Sequence, residues 1–440
     1  MSPSRFGSDP VGGPGRPAPA SKPASSKAGL PLSRQAPFPP APPARPPSNS
    51  KPAGSTPPAP AASPGRSAAV KNVRGPRPPA RTPDPPRTPP ILVRQMRGGV
   101  VEARHRGAIV EVGTDGAVRR ALGDPETLVN LRSAVKPFGL VALIEAGGVD
   151  AFDLSDAELA IMAGSHSGED LHVRTLQAVL RRAGVSQHYL GCGAEGAPLD
   201  TLTAARLARD GEKPGSLRHM CSGQHASMLL ICRINDWPFE EYWRPDNPVQ
   251  RLYSATVARA FSTVAELLIM STDACGVPTY AFPLREVARA FAMLADPAAI
   301  PSEDTRSSLA NALRRIRDAM MANPEMVAGS RDRLDTSVMK AAPGRILAKG
   351  GAEGLRGFAL LPVDGRPGAS GVAIKIEDGG GFDRAASAAS VETLRQVGVL
   401  DPAALRALGR YHRPPALDPR GNQAGEAVAA FELAPVGELL

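Results

Sequence analysis

Cysteine is scarce in this 440-residue chain: four, at Cys192, Cys221, Cys232 and Cys275. That is too few, too scattered, to staple a chain of this size, so a disulfide scaffold is excluded and the thiols read as free or metal-ligating. Long apolar runs are missing too. The longest candidate, Ser227 to Ile234, is short and contains Arg233, far from the ~20 apolar residues of a spanning helix. The N-terminus, MSPSRFGSDP, runs into proline without the basic-then-apolar segment of a secretory signal, which points to a cytoplasmic protein. Acidic residues are nearly absent from the first 90 positions, which hold 2 Asp/Glu against 13 Lys/Arg and 27 of the 47 prolines. The overall charge of +9 therefore belongs to that segment, and residues 91–440 carry a net of −2. Without a basic face on the folded part, specific nucleic-acid binding is not expected.

What is present divides the chain in two. Residues 1–90, rich in Pro, Ala and Ser, cannot bury enough apolar surface to offset chain entropy and are expected to be a disordered basic tail. The remaining ~350 residues suffice for one large domain or two closely packed lobes. From Ile91, the segments ILVRQM, VVEARHRG and AIVEV, broken at Gly98-Gly99 and at the TDG turn, predict an antiparallel meander. Helical spacing then takes over. Residues 131–148 read as one helix, with Ser133 at its start, Pro137 in its first turn and Gly147-Gly148 as its stop. Ser155 and Glu158 form a capping box for the next. Further helices are predicted in 169–184, 201–211, 226–235, 248–268, 284–296 and 307–324. After Gly344 the period returns to two in RILAKGG, GFALLPV and GVAIKIED, followed by a last helix in 384–398. Strands, then helices, then strands and a helix predict an α+β fold: an antiparallel sheet with a large helical insert.

Ser133 and Lys136, three apart at a helix start, share one face, with the serine oxygen over the positive helix end. A serine attacks only when a base takes its proton, and a lysine with a lowered pKa serves as one. Alone the pattern is common. Its context is not: RSAVKPF, AGSHSGE, MCSGQHASML, TDACGVPTYAFPL, NPEMVAG, LAKGGAEG and GVAIKIEDG occur in that order, and GRYHRP and NQAGE close the chain.

Between about Val93 and Glu426 this series resembles the bacterial asparaginase II family, the L-asparaginases of the Rhizobium inducible, thermolabile type. The resemblance implies a serine β-lactamase/glutaminase-like fold and hydrolysis of L-asparagine to L-aspartate and ammonia through an acyl-enzyme. It implies two serine–lysine pairs, Ser133 with Lys136 and Ser165 with Lys349, all present here. Ser133 is the expected nucleophile, since at a helix start its own N–H can help hold the oxyanion. For the substrate's α-carboxylate and α-ammonium the matching positions are Arg132 and Asp273; Arg104-His105 and Glu169 are weaker candidates. The resemblance further implies zinc on Cys221, Cys275 and a lysine, but that lysine is Gln224 here, a poorer ligand. His225, beside it, is a candidate to face the substrate or to replace the missing ligand. No organic cofactor is required. The expected partner is the small-molecule substrate, with no membrane and a homodimer as the one protein contact entertained. The alternatives are a serine amidohydrolase acting on glutamine or another small amide, and a non-catalytic binding protein on the same fold.

Overall fold

The computed structural model describes residues 88–363, 368–380 and 384–436; the proline-rich segment up to residue 87 lies outside them. Gly98 and Gly99, both at positive φ (52° and 82°), close a tight hairpin between β1 (Ile91–Arg97) and β2 (Val100–Gly113), the conformation that suits the twist of paired strands. Asp115 Oδ1 accepts the Ala117 N–H at 3.0 Å and turns β2 into β3 (Val118–Leu122). The predicted meander is there, with VVEARHRG and AIVEV forming one 14-residue strand. A short β4 (Leu128–Asn130) follows. It pairs with β6 (Pro278–Pro283), which pairs with β5 (Ile269–Thr272), in a three-stranded sheet the sequence pattern did not reveal.

The chain returns to the main sheet through β7 (Ile346–Gly350), β8 (Leu355–Leu360) and β9 (Ser370–Ile376), then β10 (Pro415–Leu417) and β11 (Gln423–Ala429). All pairings are antiparallel, in the order β10-β11-β1-β2-β9-β8-β7, with β3 also on β2. The helix Leu284–Ala295 packs on β2, β8 and β9, and the helix Arg384–Gln396 on β1, β9 and β11. Everything from Arg132 to Ala341 that is helical lies between β3 and β7. The fold is α+β, an antiparallel sheet with a large helical insert, and among the described residues no helix is long and apolar enough to cross a membrane.

Two predicted helices need correction. Residues 131–148 do not form one continuous helix: Arg132–Val135 is a tighter turn, followed by helical pieces Lys136–Gly139 and Val141–Glu145. Pro137 has no N–H to give the Ser133 carbonyl, so Lys136 N–H takes it instead. Gly139 is pressed against Tyr253, leaving no room for a side chain. The helix expected over 248–268 stops at Ala260, where Ser262 turns left-handed (φ 53°) and Thr263 N–H bonds the Ala258 carbonyl at 2.9 Å.

Candidate active site

The turn bearing Ser133 is tied to β6: Leu131 N–H bonds the Tyr280 carbonyl at 2.8 Å and Arg132 N–H bonds Thr279 Oγ1 at 3.0 Å. Arg132 is held at φ 47°, a left-handed conformation that costs any L-residue other than glycine and survives only where its surroundings impose it. Behind the turn, buried Phe138 packs edge-on against Phe261 and Phe291, each at 5.5 Å between ring centroids. These contacts aim the Lys136 side chain inward, where it is 1% exposed.

Ser165 comes from the loop after the helix Asp156–Ala163, whose start carries the expected capping box: Ser155 N–H to Glu158 Oε2 at 2.8 Å and Glu158 N–H to Ser155 Oγ at 3.4 Å. Ser165 N–H bonds the Val327 carbonyl at 2.6 Å. Lys349 comes from β7, the edge strand facing the helical insert, and is buried. Cys221 is delivered by the helix Ser222–Ile234, which approaches the helix Asp156–Ala163 through Gly223; a Cβ there would sit 2.2 Å from the Ile161 carbonyl oxygen.

These elements converge on one hydroxyl. Lys136 Nζ donates to Ser165 Oγ at 3.0 Å, to the Gly164 carbonyl at 3.0 Å and to Cys221 Sγ at 3.3 Å. Lys349 Nζ donates to the same Ser165 Oγ at 3.1 Å and to the Gly350 carbonyl at 2.6 Å. Ser165 thus sits between the two amines. Burial, and then the neighbouring charge of Lys136, lower the Lys349 pKa to about 7. Ser133 is half-buried and its hydroxyl makes no hydrogen bond among the described residues; it lies one turn before Lys136, with no hydrogen bond between them. The expected Ser165–Lys349 pair is in direct contact, whereas Lys136 bonds Ser165.

Arg132 and Asp273 meet: the guanidinium Nε donates to Asp273 Oδ1. They are therefore an ion pair whose opposite charges lie side by side, and the remaining guanidinium donors are available to a carboxylate. Arg104 and His105 do not join them; Arg104 is exposed on β2, and His105 Nδ1 lies 2.8 Å from Asp378 Oδ2. Glu169 is spent tying its own loop to the segment at Ser330 and Arg331. Burial raises its pKa, but hydrogen bonds from Ser167 Oγ (2.7 Å) and the Ser330 N–H (2.8 Å) outweigh that and lower it overall.

Cys221 and Cys275 are neighbours. Cys221, hydrogen-bonded by the Cys275 thiol against the opposing effect of burial and next to the Lys136 ammonium, is held well below the usual thiol range, while that same bond and burial push Cys275 up. A zinc ion would need further donors. Gln224 Nε2 donates to Tyr253 OH at 3.1 Å, and Gln224 Oε1 is buried without a partner. His225 is fully buried, its Nδ1 bonded to Tyr242 OH and its Nε2 unpartnered. Among the described residues no three His, Cys, Asp or Glu side chains are grouped as a metal would require. Two thiols without a third donor do not fit the tetrahedral zinc set that the resemblance implied. Cys192 and Cys232 are core, as expected, 7% and 0% exposed.

Sequence reasoning missed Asp335. Its Oδ2 accepts the Gly350 N–H at 2.8 Å, and its charge raises the Lys349 pKa against the larger effect of burial. It lies fourteen residues before Lys349 on a different element, and nothing in LDTSV signals the contact. Also unforeseen were the Gly164 and Gly350 carbonyls, which no side-chain motif can announce.

Comparison with known proteins agrees with the motif series. The family L-asparaginase II matches residues 93–429. No curated protein is similar enough to count as a match. Among solved structures, a probable glutaminase from Bacillus subtilis complexed with 6-diazo-5-oxo-L-norleucine is 11% identical over 69% of this chain and 87% of its own, with a TM-score of 0.34. A Bacillus glutaminase solved in the presence of 4.3 M NaCl is 13% identical over 67% and 91%, with a TM-score of 0.35. Likeness at that level says nothing about substrate. The family match, which spans most of the chain and covers every residue of the serine–lysine cluster, identifies the chain as an amidohydrolase belonging to the L-asparaginase II family.

Proposed function

We propose that this protein is an L-asparaginase that hydrolyses L-asparagine to L-aspartate and ammonia through an acyl-enzyme on Ser133. The observation that carries the reading is the contact of Ser165 Oγ with both Lys136 Nζ and Lys349 Nζ, at 3.0 and 3.1 Å. An oxygen engaged by two amines is suited to pass protons between them, and less suited to attack than a half-buried hydroxyl with its lone pairs unused.

In this mechanism Ser133 Oγ bonds to the side-chain amide carbon, and the carbonyl π pair moves onto its oxygen. The serine proton enters the Lys136–Ser165–Lys349 chain. That chain then protonates the amide nitrogen as the C–N bond breaks and ammonia leaves. Water attacks the resulting ester, giving its proton to the same chain, and the C–O bond to Ser133 breaks to release aspartate and restore the hydroxyl. Arg132 would hold the substrate α-carboxylate and Asp273 its α-ammonium, the zwitterion lying against an ion pair of complementary order. No step is assigned to a metal.

The test is ammonia release by the full chain from L-asparagine and from L-glutamine. Turnover of asparagine in preference to glutamine is expected, with Ser133→Ala reducing it by about 10⁴-fold or more. Preference for glutamine would move the substrate to the longer amide, and ammonia from neither would leave a binding protein on this fold. Near-normal turnover by Ser133→Ala would make Ser165 the nucleophile.

A further inference from the structure

Behind the sheet edge that carries Lys349 lies a cavity of about 550 Å³. The β7–β8 register separates it from the serine–lysine cluster. Lys349 pairs with Gly357 and Gly350 with Arg356. A Cβ on Gly357 would strike Phe291 of the helix Leu284–Ala295, so the alternation of strand side chains sends Lys349 to that face and Arg356 to the opposite one. Arg356 lines the cavity; Ser133, Lys136, Ser165 and Lys349 do not.

Its charged lining is net cationic. Four arginines, Arg333, Arg356, Arg384 and Arg410, share the lining with two aspartates, Asp332 and Asp335. Arg410 pairs with Asp332 at 2.7 Å and Arg356 with Asp335 at 3.5 Å. Arg384, the first residue of the helix Arg384–Gln396, has no ion-pair or hydrogen-bond partner among the described residues. Asp335, 7% exposed, uses Oδ2 on Gly350 and leaves Oδ1 without a hydrogen-bond partner. Another part of the lining is apolar, with Leu334, Pro415 and Leu417. An inorganic dianion would leave this apolar surface and most of the volume unused, and would meet the two aspartates at close range. A carbon skeleton with a carboxylate at one end satisfies both parts, since the planar guanidinium fork matches a carboxylate with two parallel hydrogen bonds.

We propose that this cavity is a second ligand site, for a small organic acid whose carboxylate is held by Arg384 and whose carbon skeleton rests on Leu334, Pro415 and Leu417. Butyrate is a suitable probe. Calorimetric titration of the full chain with butyrate at low ionic strength is expected to show saturable binding in the wild type and equally in Ser165→Ala. Arg384→Ala should weaken it about tenfold or more, with Arg384→Lys intermediate. Leu417 is 60% exposed, so Leu417→Glu should leave the fold intact and also weaken binding by putting a carboxylate beside the ligand. The site is overturned by no saturable binding to the wild type, by wild-type affinity in both Arg384→Ala and Leu417→Glu, or by binding that Ser165→Ala abolishes while Arg384→Ala retains it, which would put butyrate in the serine–lysine cluster instead.

Discussion

Lys349 sits in an environment far from the one its type would suggest. A lysine in water carries its proton to about pH 10.4, but burial and Lys136 bring Lys349 to about 7, where gain and loss of a proton are both easy. Below that value it is an ammonium and cannot accept; above it, it is an amine and can. The kcat/KM for asparagine is therefore expected to rise as pH passes upward through about 7 and then level off. Lys349→Arg, whose guanidinium keeps its proton, should lose about 10²–10⁴-fold in rate together with that rising limb. A pH profile of initial ammonia release checks both, and a flat profile from pH 6 to 8.5 would remove Lys349 from the proton path. The four residues Ser133, Lys136, Ser165 and Lys349 were legible from sequence through their ordered motifs. Their mutual contacts were not, because the bond from Lys136 to Ser165 spans 29 positions and depends on two helices and an edge strand meeting.

Helices and strands show the same division. The capping box at Ser155 and the helices beginning at Asp170, Thr201 and Leu284 follow local periodicity closely, because amphipathic spacing and caps act within a few residues. The small sheet of β4, β5 and β6 was hidden: its strands are three to six residues long, and two of them are separated from β4 by well over a hundred positions. Close helix approach is another property of elements in pairs. Gly223 lets the helix bearing it touch the backbone at Ile161, and an added Cβ would lie 2.2 Å from that carbonyl oxygen. Gly223→Ala is accordingly expected to cost about 1–3 kcal/mol through overpacking, despite alanine's better helix propensity, and to draw Cys221 away from Lys136. Urea unfolding against the wild type measures the first effect. Equal stability would mean that the two helices separate freely.

Across the whole molecule, three histidines are packed away as neutral rings. His166 is held well below the usual imidazole range by burial and then by His172; burial likewise lowers His172, and takes His225 to about 3. In the unfolded chain each would titrate near 6.5. Folded-state values below unfolded ones mean that the unfolded chain binds more protons once the pH drops under 6.5, so the stability these rings contribute is complete above that value and is lost as pH falls. The slope is about 1.4 kcal/mol per pH unit for each ring that stays neutral. Unfolding free energies at pH 7.5, 6.5 and 5.5 should be nearly level between the first two and clearly lower at the third, before most carboxylates titrate; no drop at pH 5.5 would show that the rings become protonated in place.

Composition and motif order alone determined that a Pro-rich basic segment precedes the folded part, that the folded part is α+β with a helical insert, and that Ser133, Lys136, Ser165 and Lys349 stand in motifs resembling those of asparaginase II. Those are properties of local spacing and of residue type, which a chain displays before it folds. Tertiary structure decided the rest: that Ser165 is the hydroxyl between both lysines, that Arg132 and Asp273 touch, that the Gln224 amide is engaged by Tyr253, and that an arginine-lined cavity lies behind Lys349. Each of these depends on the distance between groups far apart in sequence, and burial sets their charges. Both quantities exist only once the helices have packed against the sheet.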